Sequence, residues 1–163
     1  LSVEVRGTMT EEEILVLASR KQIGPGYRLI TAFETQEGRR IMIDRGFLPD
    51  AERGLPRPGG AATITGNLHW PQETDSFTPP PDARAGLWFA RDVPAMAAAL
   101  KTEPLLIVLR TTSEENPPAM PMPVDSSAIP NDHLNYAITW FLLALVWAGM
   151  TGMLVWRITR RQG

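Results

Sequence analysis

Residues 131–161 read N-D-H-L-N-Y-A-I-T-W-F-L-L-A-L-V-W-A-G-M-T-G-M-L-V-W-R-I-T-R-R. From Leu134 to Trp156 there are 23 successive residues without a formal charge. A helix needs about 20 mostly apolar residues to cross a hydrocarbon core of roughly 30 Å. It also satisfies its own backbone hydrogen bonds, which lipid cannot do. The stretch is therefore expected to be a transmembrane helix over 131–157, followed by a cytoplasmic tail at 158–163. Its flanks give a direction. Arg157, Arg160 and Arg161 follow the apolar run, whereas Asp132 and His133 precede it. Lys and Arg collect on the cytoplasmic side, so residues 1–130 are expected outside. Tyr136 and Trp140 at one end, and Trp156 at the other, suit the two interfacial aromatic belts.

Outward from the anchor, about 130 residues remain, enough for one extramembrane domain with one core. Without the three terminal arginines the chain holds 13 basic against 18 acidic residues. Such an acidic domain lacks the clustered cations that phosphate neutralisation requires, which argues against a nucleic-acid partner. The chain has no cysteine, which excludes disulfides, thiolate metal sites and Cys nucleophiles. The chain begins at Leu1, and a domain outside with its C-terminus inside must cross the membrane at its front. A signal segment or an earlier transmembrane helix is accordingly expected upstream of Leu1.

Residues 1–115 are expected to form a small β-rich domain, barrel- or sandwich-like, with one or two short helices. The whole chain is thus of α+β membrane class. Ser2–Gly7 alternates like a half-buried strand. Thr10 followed by Glu11, Glu12 and Glu13 resembles a capped helix start, with Ile14, Leu15, Leu17 and Ala18 as its apolar side and Gly24-Pro25-Gly26 as its stop. Tyr27–Phe33 and Arg40–Asp44 suggest a hairpin around Gln36-Glu37-Gly38, and Ala62–Leu68 a further strand. Asp92 is placed to cap a short helix ending at Leu100, with Pro94 in its first turn. Pro104–Leu109 has the continuous apolar character of a buried strand. No long helical crossovers separate the strands, which disfavours a parallel α/β sheet. Residues 116–130, with five prolines, are expected to be an extended connector.

Catalytic constellations are scarce. Gly24-Pro25-Gly26 matches no phosphate-loop fingerprint, and no serine sits in a nucleophile elbow. The two histidines, His69 and His133, have no helical i,i+4 partner. His69 closes a strand before a loop and is expected at a surface or sheet edge. His133 heads the apolar helix, with Tyr136, Ala137, Trp140, Ala144 and Trp147 following at helical spacing. It is either an interfacial imidazole beside belt aromatics or an axial base for a heme, a flat apolar body needing such a ligand. Ala144, Ala148 and Gly152 recur at four-residue intervals, the spacing that lets helices approach closely in lipid.

Five motifs occur in order: Gly24-Pro25-Gly26-Tyr27-Arg28, Arg45-Gly46-Phe47-Leu48-Pro49, Gly66-Asn67-Leu68-His69-Trp70-Pro71, Trp88-Phe89 and Asn131-Asp132-His133-Leu134-Asn135-Tyr136-Ala137-Ile138-Thr139-Trp140. In this ordered set the chain resembles the surfeit locus protein 1 family of cytochrome c oxidase assembly factors. It departs from the family at Phe47, where Trp is common, at Ala32, His69 and Asp132. The resemblance implies a non-enzymatic assembly factor that helps deliver or insert heme a into subunit I of a heme-copper oxidase. His133 would be the iron ligand, and Tyr136 and Trp140 a wall of the cofactor site. Implied partners are oxidase subunit I and other oxidase assembly factors. The alternative is a scaffold that bridges oxidase subunits without heme, packing through Ala144, Ala148 and Gly152. The short tail after the anchor favours a bacterial plasma membrane, with the main domain periplasmic, over a mitochondrial inner membrane. Arg45 would either pair with a heme propionate or hold backbone carbonyls of its loop.

Overall fold

A computed structural model describes residues 1–82, 84–123 and 133–162, in two compact units, Leu1–Val124 and Asp125–Gly163. The first unit carries strands β1 (Ser2–Arg20), β2 (Gly24–Thr35), β3 (Arg40–Pro49), β4 (Gly60–His69), β5 (Leu87–Trp88) and β6 (Leu106–Thr112), with helix α1 (Val93–Leu100) before β6. Pairing runs β1–β2–β3–β6–β4 and returns to β1, so five strands close into a ring. Only the β3–β6 contact within that ring is parallel. The expected small barrel is present. Closure removes the unpaired edges that an open sheet would leave to aggregate.

β1 makes closure possible by its length. Ser2–Met9 pairs with β4, and Gly7–Arg20 pairs with β2, across a register shift between Met9 and Glu13. Such a bulge bends and twists the strand, as a small barrel demands. This overturns the helix expected from Thr10 to Ala18. Thr10 donates its hydroxyl to the Ala32 carbonyl at 2.9 Å, in sheet surroundings. Ile14 and Val16 pack beneath α1 while Leu15 faces Leu29 and Tyr27. The consecutive apolar residues that resembled a helix face belong to a strand buried on both sides. Gly24-Pro25-Gly26 opens β2 rather than ending a helix.

Inside the ring, Met9, Phe33, Ile41, Ile64, Ile107 and Leu109 fill one core. On the outer face, Met96, Ala97 and Leu100 of α1 cover Ile14, Ile30 and Met42. α1 starts where expected: the Asp92 carboxylate accepts from the Ala95 amide at 3.1 Å, and Pro94 lies in the first turn. Lys101 closes it in the left-handed conformation, φ 54°.

Gly46 explains part of the Arg-Gly-Phe motif. Its φ is +107°, and a Cβ there would meet the Met120 carbonyl oxygen at 1.9 Å. The bare backbone lets Phe47 and Met120 exchange two 2.8 Å hydrogen bonds, which seat buried Ala119 against Leu48 and Leu29. The Pro-rich segment is thus held on the barrel over its first residues. Residues 124–130 of it lie outside the described residues.

The second unit is helix α2, His133–Gln162, which contains a 28-residue stretch long and apolar enough to cross a membrane. At about 1.5 Å per residue, 28 residues exceed the roughly 30 Å of a hydrocarbon core. Thr139 and Thr159 return their hydroxyls to the carbonyls of Asn135 and Val155, so neither needs a partner from outside the helix.

Replacing Gly46 with alanine should lower stability by about 2 kcal/mol or more, from left-handed strain and the blocked Met120 contact. Hydrogen exchange should speed up at the Phe47 and Met120 amides. Unchanged protection there would show that the close approach is dispensable.

Candidate functional site

On an α-helix each residue advances about 100°. Measured from His133, this places Ala137, Trp140, Ala144, Trp147, Ala148 and Thr151 within roughly 60°. The candidate heme residues and two of the three small residues therefore share one face of α2. Tyr136, Trp140 and Trp147 form its aromatic margin, and Ala137, Ala144 and Ala148 its shallow margin. Gly152 lies about 100° away, off that face. Tyr136 and Trp140 are exposed in the helix, at 66% and 70%. Asp132 and the His133 imidazole lie outside the described residues. At the other end, the Arg160 guanidinium stacks 4.3 Å from the Trp156 ring centre, a cation–π pair at the arginine-rich terminus.

The barrel holds a second candidate that sequence reasoning did not find. Asp44 on β3 has no exposed surface and accepts from Arg28 Nη1 at 2.7 Å and Arg91 Nη1 at 3.1 Å. Its other oxygen accepts from the Gly46 amide at 3.1 Å. Arg91, itself buried, turns its remaining edge to Glu73. Its Nε lies 3.0 Å from Oε1, its Nη2 binds the same carboxylate, and its backbone amide donates to Oε2 at 3.1 Å. A charge directly beside apolar strand residues in each arm of the hairpin, Arg28 in Y-R-L-I and Asp44 after I-M-I, was the available signal for the inner pair. Nothing local marks Glu73 or Arg91, which come from irregular segments.

Electrostatics follow from this packing. Burial works against the charge of Glu73, but the hydrogen bonds and field of Arg91 outweigh it and hold the carboxyl below its usual range. Half-buried His69, at the end of β4, faces Arg91, Arg28, Glu73 and Asp44. Burial first, then Arg91, pushes its imidazole below the ordinary value, and the two carboxylates do not restore it.

Among the described residues Arg45, expected to reach either a propionate or loop carbonyls, bonds no loop carbonyl. It is 2% exposed and donates Nη2 to Glu114 Oε1 at 2.5 Å. Its Nε is buried with no partner among the described residues, and burial lowers the guanidinium's pKa against the pull of Glu114. Glu12 and Glu13, from the run that suggested a helix start, pair with Arg40 and Arg57.

The His69 shift has a definite sign. As pH falls through about 6.5, the unfolded chain takes up a proton that the native imidazole resists, so stability present above that value is lost below it. Thermal unfolding followed from about pH 7.5 to 5 should show a shallower decline for His69→Asn than for wild type. Equal slopes would show that His69 contributes nothing to the acid response.

Comparison with known proteins agrees with the motif order. The SURF1 family model matches residues 1–145, through the barrel and into α2. A SURF1-like protein of Caenorhabditis elegans is 32% identical over 148 residues, covering 86% of this chain and 44% of the relative. One from Monosiga brevicollis is 27% identical over 164 residues, covering 96% and 59%. A bacterial SURF1-like protein, from Rickettsia felis, is 26% identical and covers 88% and 68%. The chain spans about half the length of the first two relatives. With strands, buried arginines and the start of α2 all inside the matched region, the chain belongs to the SURF1 family.

Proposed function

We propose that this protein is a membrane-anchored, non-enzymatic assembly factor for a heme-copper cytochrome c oxidase, assisting delivery or insertion of heme a into subunit I. One observation carries the heme part: the residue heading α2 is a histidine, and the face below it pairs an aromatic margin with an alanine-lined one. A macrocycle needs an axial base and a flat apolar wall, and this donor set fits both needs. His133 would supply the nitrogen, and Tyr136 and Trp140 the wall. Alanines at 137 and 144 leave room beside those rings. The heme itself supplies the iron chemistry; the chain holds and shields it. The arginines at 157, 160 and 161 favour a cytoplasmic C-terminus and a barrel on the outer side of a bacterial plasma membrane. The expected partners are subunit I and other oxidase assembly factors.

A second reading is a scaffold that bridges oxidase subunits without heme. It is favoured by Ala144, Ala148 and Gly152, where side chains are small and a Cβ built at Gly152 meets no neighbouring atom. Small residues let a partner helix approach closely.

The full-length protein co-expressed with heme a synthesis should purify with a heme a absorption spectrum, which His133→Ala should abolish or shift. An identical spectrum in the variant would remove His133 as the ligand. In a mild-detergent pulldown, the scaffold reading predicts that oxidase subunit I survives His133→Ala but is recovered at least several-fold less when Ala144, Ala148 and Gly152 are enlarged to leucine. Recovery indifferent to the leucines would count against that reading.

A further inference from the structure

Residues 71–81, Pro-Gln-Glu-Thr-Asp-Ser-Phe-Thr-Pro-Pro-Pro, form a strap over the barrel with little apolar burial of its own. Apart from half-buried Pro71 and Thr78, every residue of it is exposed, including Phe77 at 90%. Its internal hydrogen bonds run among Asp75, Phe77 and Thr78. Among the described residues, Glu73 is its one point of hydrogen bonding to the rest of the chain, through Arg91. A single carboxylate therefore makes that link.

Arg91 offers that carboxylate its Nε–Nη2 edge, the planar fork that matches any carboxylate. Arg28 uses Nη1 on Asp44, has no other protein acceptor among the described residues, and keeps 19% of its side chain exposed. His69 stands near both, its imidazole pushed below the ordinary value by burial and then by Arg91. Together, Arg28, Arg91 and Asp44 carry one net positive charge, which Glu73 cancels. Beside this pair a cavity of about 220 Å³ opens between Pro79–Pro81 of the strap and Trp88, Phe89 and Ala95. Thr74 and Ala90, sequence neighbours of Glu73 and Arg91, also line it, as do two aspartates already engaged locally, Asp75 by Thr78 and the Phe77 amide and Asp92 by the Ala95 amide. A cationic fork thus adjoins an aromatic- and proline-walled hollow.

We propose that Arg91 and Arg28 form a binding site for an amphipathic carboxylate, a ligand with one carboxylate head and a small apolar body, and that Glu73 occupies this site as the chain's own competitor. An incoming carboxylate takes the fork from Glu73, its apolar body enters the hollow between the strap and Trp88 and Phe89, and the Glu73 carboxylate turns out to solvent while the rest of the strap stays in place as the wall. The hollow suits a body of one or two rings or a single aliphatic side chain, so a small organic acid and the C-terminal carboxylate of a polypeptide share the required chemistry. Tethering gives Glu73 an effective concentration on the millimolar scale, so an outside carboxylate competes poorly until Glu73 is removed. The site does not depend on heme binding at α2.

Calorimetric titration of the full chain in detergent tests this, with 2-naphthoate as the small acid and acetyl-Ala-Ala-Leu with a free C-terminus as the polypeptide mimic. The neutral controls are 2-naphthamide and the amidated peptide. Glu73→Gln should bind at least one of the two acids about tenfold or more tightly than wild type, with no gain for its amide. Adding Arg28→Gln should reverse the gain while leaving Asp44 paired with Arg91. The acid that gains identifies the source of the ligand. Failure of both acids to gain in Glu73→Gln would overturn the proposal, as would an equal gain for the amides. Because heme is absent from these titrations, their failure is separate from a failure of the His133 spectrum.

Discussion

Asp44 is a carboxyl group with no exposed surface, and the barrel's outer face is arranged around supplying its oxygens with donors. Three donors from three places in the chain, Arg28 on β2, the Gly46 amide on β3 and Arg91 just ahead of α1, converge on its two oxygens. Removing one partner of such a buried pair costs about 3–5 kcal/mol, because the remaining charge is stranded. The node therefore fixes more than its own neighbourhood. It sets the relation of the β2–β3 hairpin to α1, and it presents the outward edge of Arg91 to Glu73. Hydrophobic burial drives the barrel closed; the node determines which irregular segments lie against it.

Two motif arginines do different work although they lie on adjoining strands. Met42 and Asp44 face α1, whereas Ile41 and Ile43 face the barrel interior, so Arg45 is carried inward by strand alternation. There it meets Glu114, beyond the end of β6. Gly46 then lets the strand bulge and opens the space that Met120 fills. The Arg-Gly-Phe sequence is thus a buried charge, a positive-φ bulge within the strand and a core side chain in succession, with each residue type required by what it meets. The cost of burying the guanidinium is offset only in part by its carboxylate contact with Glu114.

Much of this was legible from residue patterns where local preference and tertiary context agree. The hairpin, β4, α1 with its Asp92 cap and the long apolar α2 all follow from alternation, capping or length. β1 was not legible beyond Gly7. Its Thr-Glu-Glu-Glu start satisfies every local rule for a helix, and only burial on both faces, between the β2 core and α1, makes the following apolar run a strand. The charged node was half visible, since Arg28 and Asp44 stand out in apolar strands. Glu73 and Arg91 come from segments without period, and their meeting is a property of the closed barrel alone. For α2, helical spacing alone sets His133, Trp140 and Ala144 on one face.

That shared face bears on how the two readings of α2 relate. A flat ligand held from His133 would rest between Trp140 and Ala144, and a helix packing through Ala144 and Ala148 would approach from the shallow margin of the same surface. The two uses overlap at Ala144 and diverge toward Trp147 on one side and Gly152 on the other. A helix that first lays a cofactor against its aromatic margin and then meets a partner through its alanines would bring the two bodies into contact without moving either margin. On the proposed readings, holding a heme and bridging an oxidase subunit would use adjacent parts of one helix face and need not be rivals. The side of the face that tolerates bulk separates them, because enlarging Gly152 leaves the His133–Trp140 margin untouched while enlarging Ala144 obstructs both.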